Sequence, residues 1–165
     1  MIMIEPVSAQ NILIYRDVRL RALQDTPGAF GSTYAREAQL TDADWMERSK
    51  RWDGETGILY LAMDSGVACG MAGSFLSPED ASCAQLISMW IAPSHRKQGV
   101  GRLLVQEVLS WACQRGARVL QLMVVSSNQP AIGFYQGLGF AFTGQTKPYP
   151  NDPALVEYEM TREIG

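Results

Sequence analysis

Apolar positions along this chain follow two rhythms, and the switch between them marks out the elements. Met1 to Val7 alternates and predicts a short first strand. Ile12, Leu13, Tyr15, Val18, Leu20, Ala22 and Leu23 recur at helical spacing and predict a helix that stops before Pro27-Gly28. Ala29 to Tyr34 reads as a loop, and Ala35 to Leu40 as a helical turn. Thr41-Asp42-Ala43-Asp44 supplies an N-cap and early acids for a helix through Trp52. Gly57–Met63 and Val67–Phe75 then form a hairpin across Asp64-Ser65-Gly66.

The most organised stretch follows a Ser-Pro-Glu-Asp loop. Cys83 to Ile91 is a mostly apolar run, read as a central strand, and Pro93 ends it. A polar turn leads to Gly99. From there Val100, Leu104, Val108 and Trp111 share one stripe with Leu103 beside it, the pattern of a core-facing helix. Arg115-Gly116 closes that helix. Arg118 to Val125 is a second apolar strand, so strand, helix and strand imply a right-handed parallel unit. Pro130 opens a helix to about Gln136, and Gly137-Leu138-Gly139 breaks it. Phe140–Gln145 and Leu155–Thr161 read as closing strands around a proline-rich loop. The expected fold class is α/β: one domain over residues 1–165, a mixed central β-sheet flanked by helices.

Composition narrows the function. At 165 residues the chain can bury a sizeable core. A formal net charge of −3 argues against a general nucleic-acid or anionic-membrane binder, while leaving room for one basic pocket. No apolar run approaches the roughly 20 residues that span a membrane. Cys69, Cys83 and Cys113 are few and widely spaced, without a metal-ligand pattern. They read as reduced core residues of a cytoplasmic protein.

The turn between the central strand and its helix carries the candidate chemistry. Arg96 and Lys97 stand before Gly99 and Gly101. Glycine lets backbone approach a ligand, and a helix N-terminus offers unpaired N–H groups with partial positive charge. That combination suits a phosphate or pyrophosphate; a solvated strand–helix turn accounts for the same residues. The loop lacks the Gly-Lys-Ser/Thr of nucleotide hydrolases, which weighs against a magnesium-dependent phosphotransferase. What stands here is Arg-x-x-Gly-x-Gly, Arg96 to Gly101. Past the second strand comes Asn128-x-x-Ala131-x-x-Phe134-Tyr135-x-x-x-Gly139-Phe140. Together, in this order, the two motifs resemble the GNAT superfamily of acetyl-CoA-dependent N-acetyltransferases. The likeness covers Leu86 to Phe140, and the outlying elements fit the family's order.

The resemblance implies an acetyl group moved from acetyl-CoA directly to an amine of a small molecule or peptide, with no metal. It assigns Arg96, Lys97, Gln98, Gly99, Val100, Gly101 and Arg102 to the pyrophosphate. Backbone at Met89, Trp90 and Ile91 goes to the pantetheine arm, on a strand that bulges and splays from its neighbour. Asn128 contacts the cofactor and Tyr135 protonates the departing thiolate. Each has a plainer reading: Tyr135 as core, Asn128 as a helix cap. An alkyl amine with pKa near about 10.4 must first lose a proton. Many relatives place a Glu on the central strand for this, but Cys83–Ile91 contains no acid. Ser88 can position a water on that strand, Glu37, Glu79, Asp80, Glu157 and Glu159 are acids that can approach from elsewhere, and deprotonation through waters alone is another route. His95, beside the loop, reads as a solvating residue. Phe30, Tyr34, Trp45, Tyr149 and Asp152 are candidates for the acceptor side, or for ordinary packing. A non-catalytic acyl-CoA sensor on the same fold is the competing function. The family commonly forms homodimers, for which exposed apolar edges on the closing strands would be the place.

Overall fold

A computed structural model describes residues 1–164. Seven strands form one sheet. They are β1 (Ile2–Pro6), β2 (Gly57–Asp64), β3 (Val67–Leu76), β4 (Cys83–Ile91), β5 (Val119–Val125), β6 (Ala141–Pro148) and β7 (Val156–Glu163), in the order β1-β2-β3-β4-β5-β7-β6. Only β4 and β5 run parallel; every other pair is antiparallel. The helices are α1 (Ile12–Asp25), α2 (Tyr34–Glu37), α3 (Asp42–Ser49), α4 (Val100–Gln114) and α5 (Gln129–Gly137). The mixed sheet and flanking helices are those the hydrophobic pattern predicts.

Local chemistry explains most boundaries. Ser65 and Gly66 both take positive φ, 52° and 85°, which closes β2 onto β3 in a two-residue turn of matching twist. Thr41 and Asp44 cap α3 reciprocally, with bonds of 3.1 and 2.8 Å. That helix ends at Ser49, short of the expected Trp52. Residues 68–74 of β3 are buried without a break, because α1 and α4 cover both faces of this strand.

Packing departs from the periodicity at three places. Leu103 is exposed, since the buried face of α4 is completed by Val105 and Ala112 instead. Trp45 is fully buried edge-on to Tyr15, with ring centroids 5.9 Å apart, so it belongs to the core. Cys69 is buried, Cys83 is partly so, and Cys113 is on the surface; all three are free thiols.

The strand β4 is not regular. Gly73 pairs with Ile87 and Met71 with Trp90, so Ala72 alone faces Ser88 and Met89. This is a β-bulge, and Ser88 sits in it at φ 56°. The parallel ladder with β5 covers only Cys83–Gln85 against Val119–Gln121. Beyond it the two strands diverge.

One polar cluster is buried beside this divergence. Glu37, only 2% exposed, accepts two bonds from Arg19, Nε to Oε1 at 3.1 Å and Nη2 to Oε2 at 3.0 Å. Arg48 approaches the same carboxylate at 3.5 Å, so α1, α2 and α3 are tied at one point.

Replacing Glu37 by Gln is expected to cost about 3–5 kcal/mol in urea unfolding, because it strands the Arg19 charge. Burial pushes the Glu37 carboxyl up, but the Arg19 bonds outweigh it and hold the group below the usual carboxylate range. A depressed carboxyl stabilises above its unfolded value of about 4.3 and loses that contribution as pH falls through the folded value. The Gln variant is therefore expected to lose less stability on acidification than the parent chain.

Candidate active site

Where β4 and β5 part, a cleft of about 90 Å³ opens between them. Leu86, Ser88 and Met89 line one side; Leu122, Val124 and Val125 line the other. Phe30 closes it from the α1–α2 loop, and Asn128 and Tyr135 close it from α5. Beyond the ladder, the facing edges of β4 and β5 have no strand between them. Extended backbone with unpaired donors and acceptors is what an amide-bearing chain can bind.

Tyr135 is buried against Phe134 and Phe140, with ring centroids 5.3 and 5.7 Å away. Burial raises its phenol far above the ordinary value. The hydroxyl therefore stays protonated at neutral pH, and it makes no hydrogen bond among the described residues. It is a proton held ready at the cleft. Asn128 caps α5, its Oδ1 accepting from Ala131 N at 3.3 Å, and its amide nitrogen has no hydrogen-bond partner among the described residues.

At the C-terminal end of β4 the chain passes through a 3₁₀ turn, Pro93–His95, into the loop before α4. Lys97 and Gly99 take φ of 61° and 86°. No side chain caps α4, so the N–H groups of Val100, Gly101 and Arg102 have no partner within the helix. Lys97 is exposed, with no ion pair among the described residues. Gly101 has a packing reason as well. A Cβ there would lie 2.8 Å from Phe134 Cζ and 3.2 Å from Met89 Cε, so the bare glycine lets α4, α5 and β4 meet.

Three loop residues are engaged within the protein. Arg96 donates through Nε to the Ile91 carbonyl at 3.0 Å and pairs with Asp25 at the end of α1. Asp25 also accepts from the buried Trp90 indole at 3.0 Å; that bond and Arg96 lower its carboxyl. Gln98 bonds the Ser94 carbonyl at 3.0 Å. His95 turns away to Asp64 at 2.8 Å, with Ser94 on its other nitrogen at 2.7 Å. Arg102 is exposed on the first turn of α4.

Of the acids considered for proton abstraction, most are committed elsewhere. Glu37 is locked between arginines. Asp80 holds Ser82 at 2.6 Å in an exposed loop, with Glu79 beside it. Glu159 accepts from Gln121 and from Thr143. Glu157 differs: β7 places it opposite Val125, a cleft residue, and opposite Lys147 on its other side. Paired residues of antiparallel strands share a face with Cβ atoms about 5 Å apart. Burial raises the Glu157 carboxyl, and Lys147 only partly offsets this.

The acceptor-side aromatics divide. Phe30 lines the cleft, whereas Tyr34 is largely exposed. Tyr149 is buried and donates to the Phe30 carbonyl at 2.7 Å, helped by Asn151 Nδ2 at 2.9 Å. The β6–β7 loop thus clamps the α1–α2 loop over the cleft. Asp152 turns its own loop by accepting from Ala154 N at 2.9 Å. The residues that the sequence did not flag are Arg19, Asp25 and Asn151, each joined to the site by a long-range side-chain contact.

Comparison with known proteins gives one family. The model of the Acetyltransferase (GNAT) family matches residues 20–140. Streptothricin acetyltransferase of Streptomyces lavendulae is 46% identical over 54 residues, 33% of this chain and 29% of that protein. The chain spans less than half the length of the first curated relatives that it matches. Solved structures agree over the whole chain. The GNAT-family acetyltransferase from Streptococcus pneumoniae superposes with a TM-score of 0.84 at 23% identity, covering 100% of both chains. The PaiA N-acetyltransferase of Thermoplasma acidophilum, solved with coenzyme A, gives 0.78 at 16% identity over 99% of each. At such identities the likeness concerns the fold.

The clamp over the cleft makes its own prediction. Tyr149→Phe removes the hydroxyl that holds Phe30 and is expected to lower unfolding free energy by about 1 kcal/mol. Limited proteolysis should then cut faster between Pro27 and Ser32 than in the parent chain.

Proposed function

The chain belongs to the GNAT acetyltransferase family, and from that membership we propose that it transfers an acetyl group from acetyl-CoA directly to an amine. One observation carries the reading. A neutral, buried phenol and an unpaired strand edge line a single cleft, and β4, which forms one wall of it, leads through a short turn to the uncapped N-terminus of α4. No covalent enzyme intermediate is needed, so the absence of an activated nucleophile at the cleft is consistent with direct transfer.

The residues present fit such a donor. The backbone of Met89, Trp90 and Ile91 has no partner on β5, which suits an amide-bearing arm, although Arg96 already occupies the Ile91 carbonyl. The N–H groups of Val100, Gly101 and Arg102, with Lys97 alongside, suit a pyrophosphate. Gly99 adopts the positive φ that turns the loop into the helix. Arg96 serves here by fixing the loop to Asp25 and Ile91, and Gln98 by bracing it on Ser94. Acetyl-CoA supplies an acetyl thioester as the acyl donor.

The chain's own groups divide the remaining work. A backbone N–H of the bulge donates to the carbonyl oxygen where negative charge builds. Tyr135 holds a proton at its phenol oxygen and delivers it to the departing sulfur. Glu157 takes the amine proton, directly or through one water, since it is the cleft-flanking carboxylate without a hydrogen-bond partner among the described residues. Phe30 and Ser88 bound the side from which the amine arrives. The relatives' names include an antibiotic acetyltransferase and a peptidyl-lysine acetyltransferase, so the acceptor is assigned as an amine of a small molecule or a peptide.

Tyr135→Phe is expected to lower kcat by about 10²–10⁴-fold, with acetyl-CoA Kd changed far less. Thiol release over a panel of amines, set beside calorimetric binding, reads both. Full turnover in this variant would remove the acid role, and binding without thiol release in the parent chain would make it an acyl-CoA sensor. For Glu157, the ionised form is the active one, so kcat/KM should rise with pH through its elevated value. Glu157→Gln should flatten that limb; an unchanged pH profile would assign deprotonation to water.

A further inference from the structure

Arg19 touches three elements at once. Two of its nitrogens hold Glu37 on α2, at 3.1 and 3.0 Å. Its Nη1 donates to Ser88 Oγ in the β4 bulge at 3.3 Å. Its guanidinium lies over the Phe30 ring, 5.0 Å from the centroid. Ser88 and Phe30 both line the cleft, so one side chain joins the strand wall to the loop that covers it.

The surroundings make this a fixed strut. The Arg19 side chain is 12% exposed and Glu37 compensates its charge. Glu37 is braced in turn by Arg48, and the Phe30 carbonyl by Tyr149 and Asn151. Ser88 holds a φ of 56°, a region that residues with a Cβ rarely occupy. Strain of this kind persists only where neighbours over-determine it. A buried ion pair adds little stability over an apolar pair of equal volume, so stability alone does not account for an arginine here. What it holds does.

We propose that Arg19 is a positioning residue for acetyl transfer, fixing the bulge through Ser88 and the facing wall through Phe30 at the separation the reaction uses. This rests on the acetyl-transfer reading above. Misplacement of reacting groups by about 1 Å is enough to slow such a step.

The test separates geometry from folding. Ser88→Gly relieves the backbone strain but removes the hydroxyl that Arg19 grips. It is expected to melt no lower than the parent chain while kcat falls about tenfold, the worth of one hydrogen bond to a charged group. Arg19→Lys should show a similar fall in kcat, with acetyl-CoA Kd nearly unchanged. Because both act through one contact, the Arg19→Lys/Ser88→Gly double variant should be no slower than the slower single variant. Parent-level kcat in Ser88→Gly, or losses that multiply in the double variant, would overturn the proposal. Should Arg19→Lys fail to fold, Ser88→Gly decides alone through its split between melting and kcat. A parent chain that releases no thiol with any amine overturns acetyl transfer and this role together; a parent chain that turns over beside unaffected variants overturns this role only.

Discussion

Strands β4 and β5 hold together for three residue pairs, Cys83–Gln85 on Val119–Gln121, and then separate. Had the ladder continued, the backbone from Leu86 to Ile91 would be satisfied on both sides and no cleft would exist. The divergence leaves polar backbone without strand partners, a cost in any interior. It also creates the only stretch of β4 that can receive a guest along its length. The separation begins after Gln85, and the bulge at Ser88 and Met89 lies within the separated stretch. Everything at the site is arranged about it: α4 starts where β4 ends, α5 brings Tyr135 under the gap, and the Phe30 loop covers it from the other side.

How far this could be read beforehand depends on the range of each interaction. The central strand was legible to the residue, because a mostly apolar run ending at Pro93 has one sensible reading. The Asn128 cap and the Thr41 cap are local hydrogen bonds and equally visible. Gly101 was legible as a requirement but for half the reason; the close approach is to Phe134 and Met89 of the protein itself. Arg96 has an internal partner that was not visible, for a related cause. Arg96 is paired with Asp25, 71 residues earlier in the chain, and no local pattern announces such a partner. Arg19 and Ser88 are 69 residues apart, and Tyr149 reaches the Phe30 carbonyl across 119. Trp45 and Leu103 stay open in the sequence for a different reason. Periodicity tells which face a residue is on, but not how much of that face another element covers.

Charge around the cleft is handled by compensation rather than exclusion. Glu37 is matched by two arginines, Asp25 by Arg96 and the Trp90 indole, and Glu159 by two uncharged donors. Glu157 stands apart, raised by burial with Lys147 across the ladder. With the other carboxylates paired, the electrostatics near the cleft reduce to few groups.

Unpaired strand edges usually invite other chains, and proteins blunt them at the rim of a sheet. The rim here follows that custom: β6 is bent by a bulge at Gly144 and carries Lys147 and Pro148. The edges of β4 and β5 are a different case, since they lie inside the sheet and face one another. A strand from a neighbouring molecule would have to enter a space of about 90 Å³ beneath the Phe30 loop. Stickiness is thereby separated from accessibility. Raw backbone is kept in a narrow interior cleft and off the outer rim of the sheet.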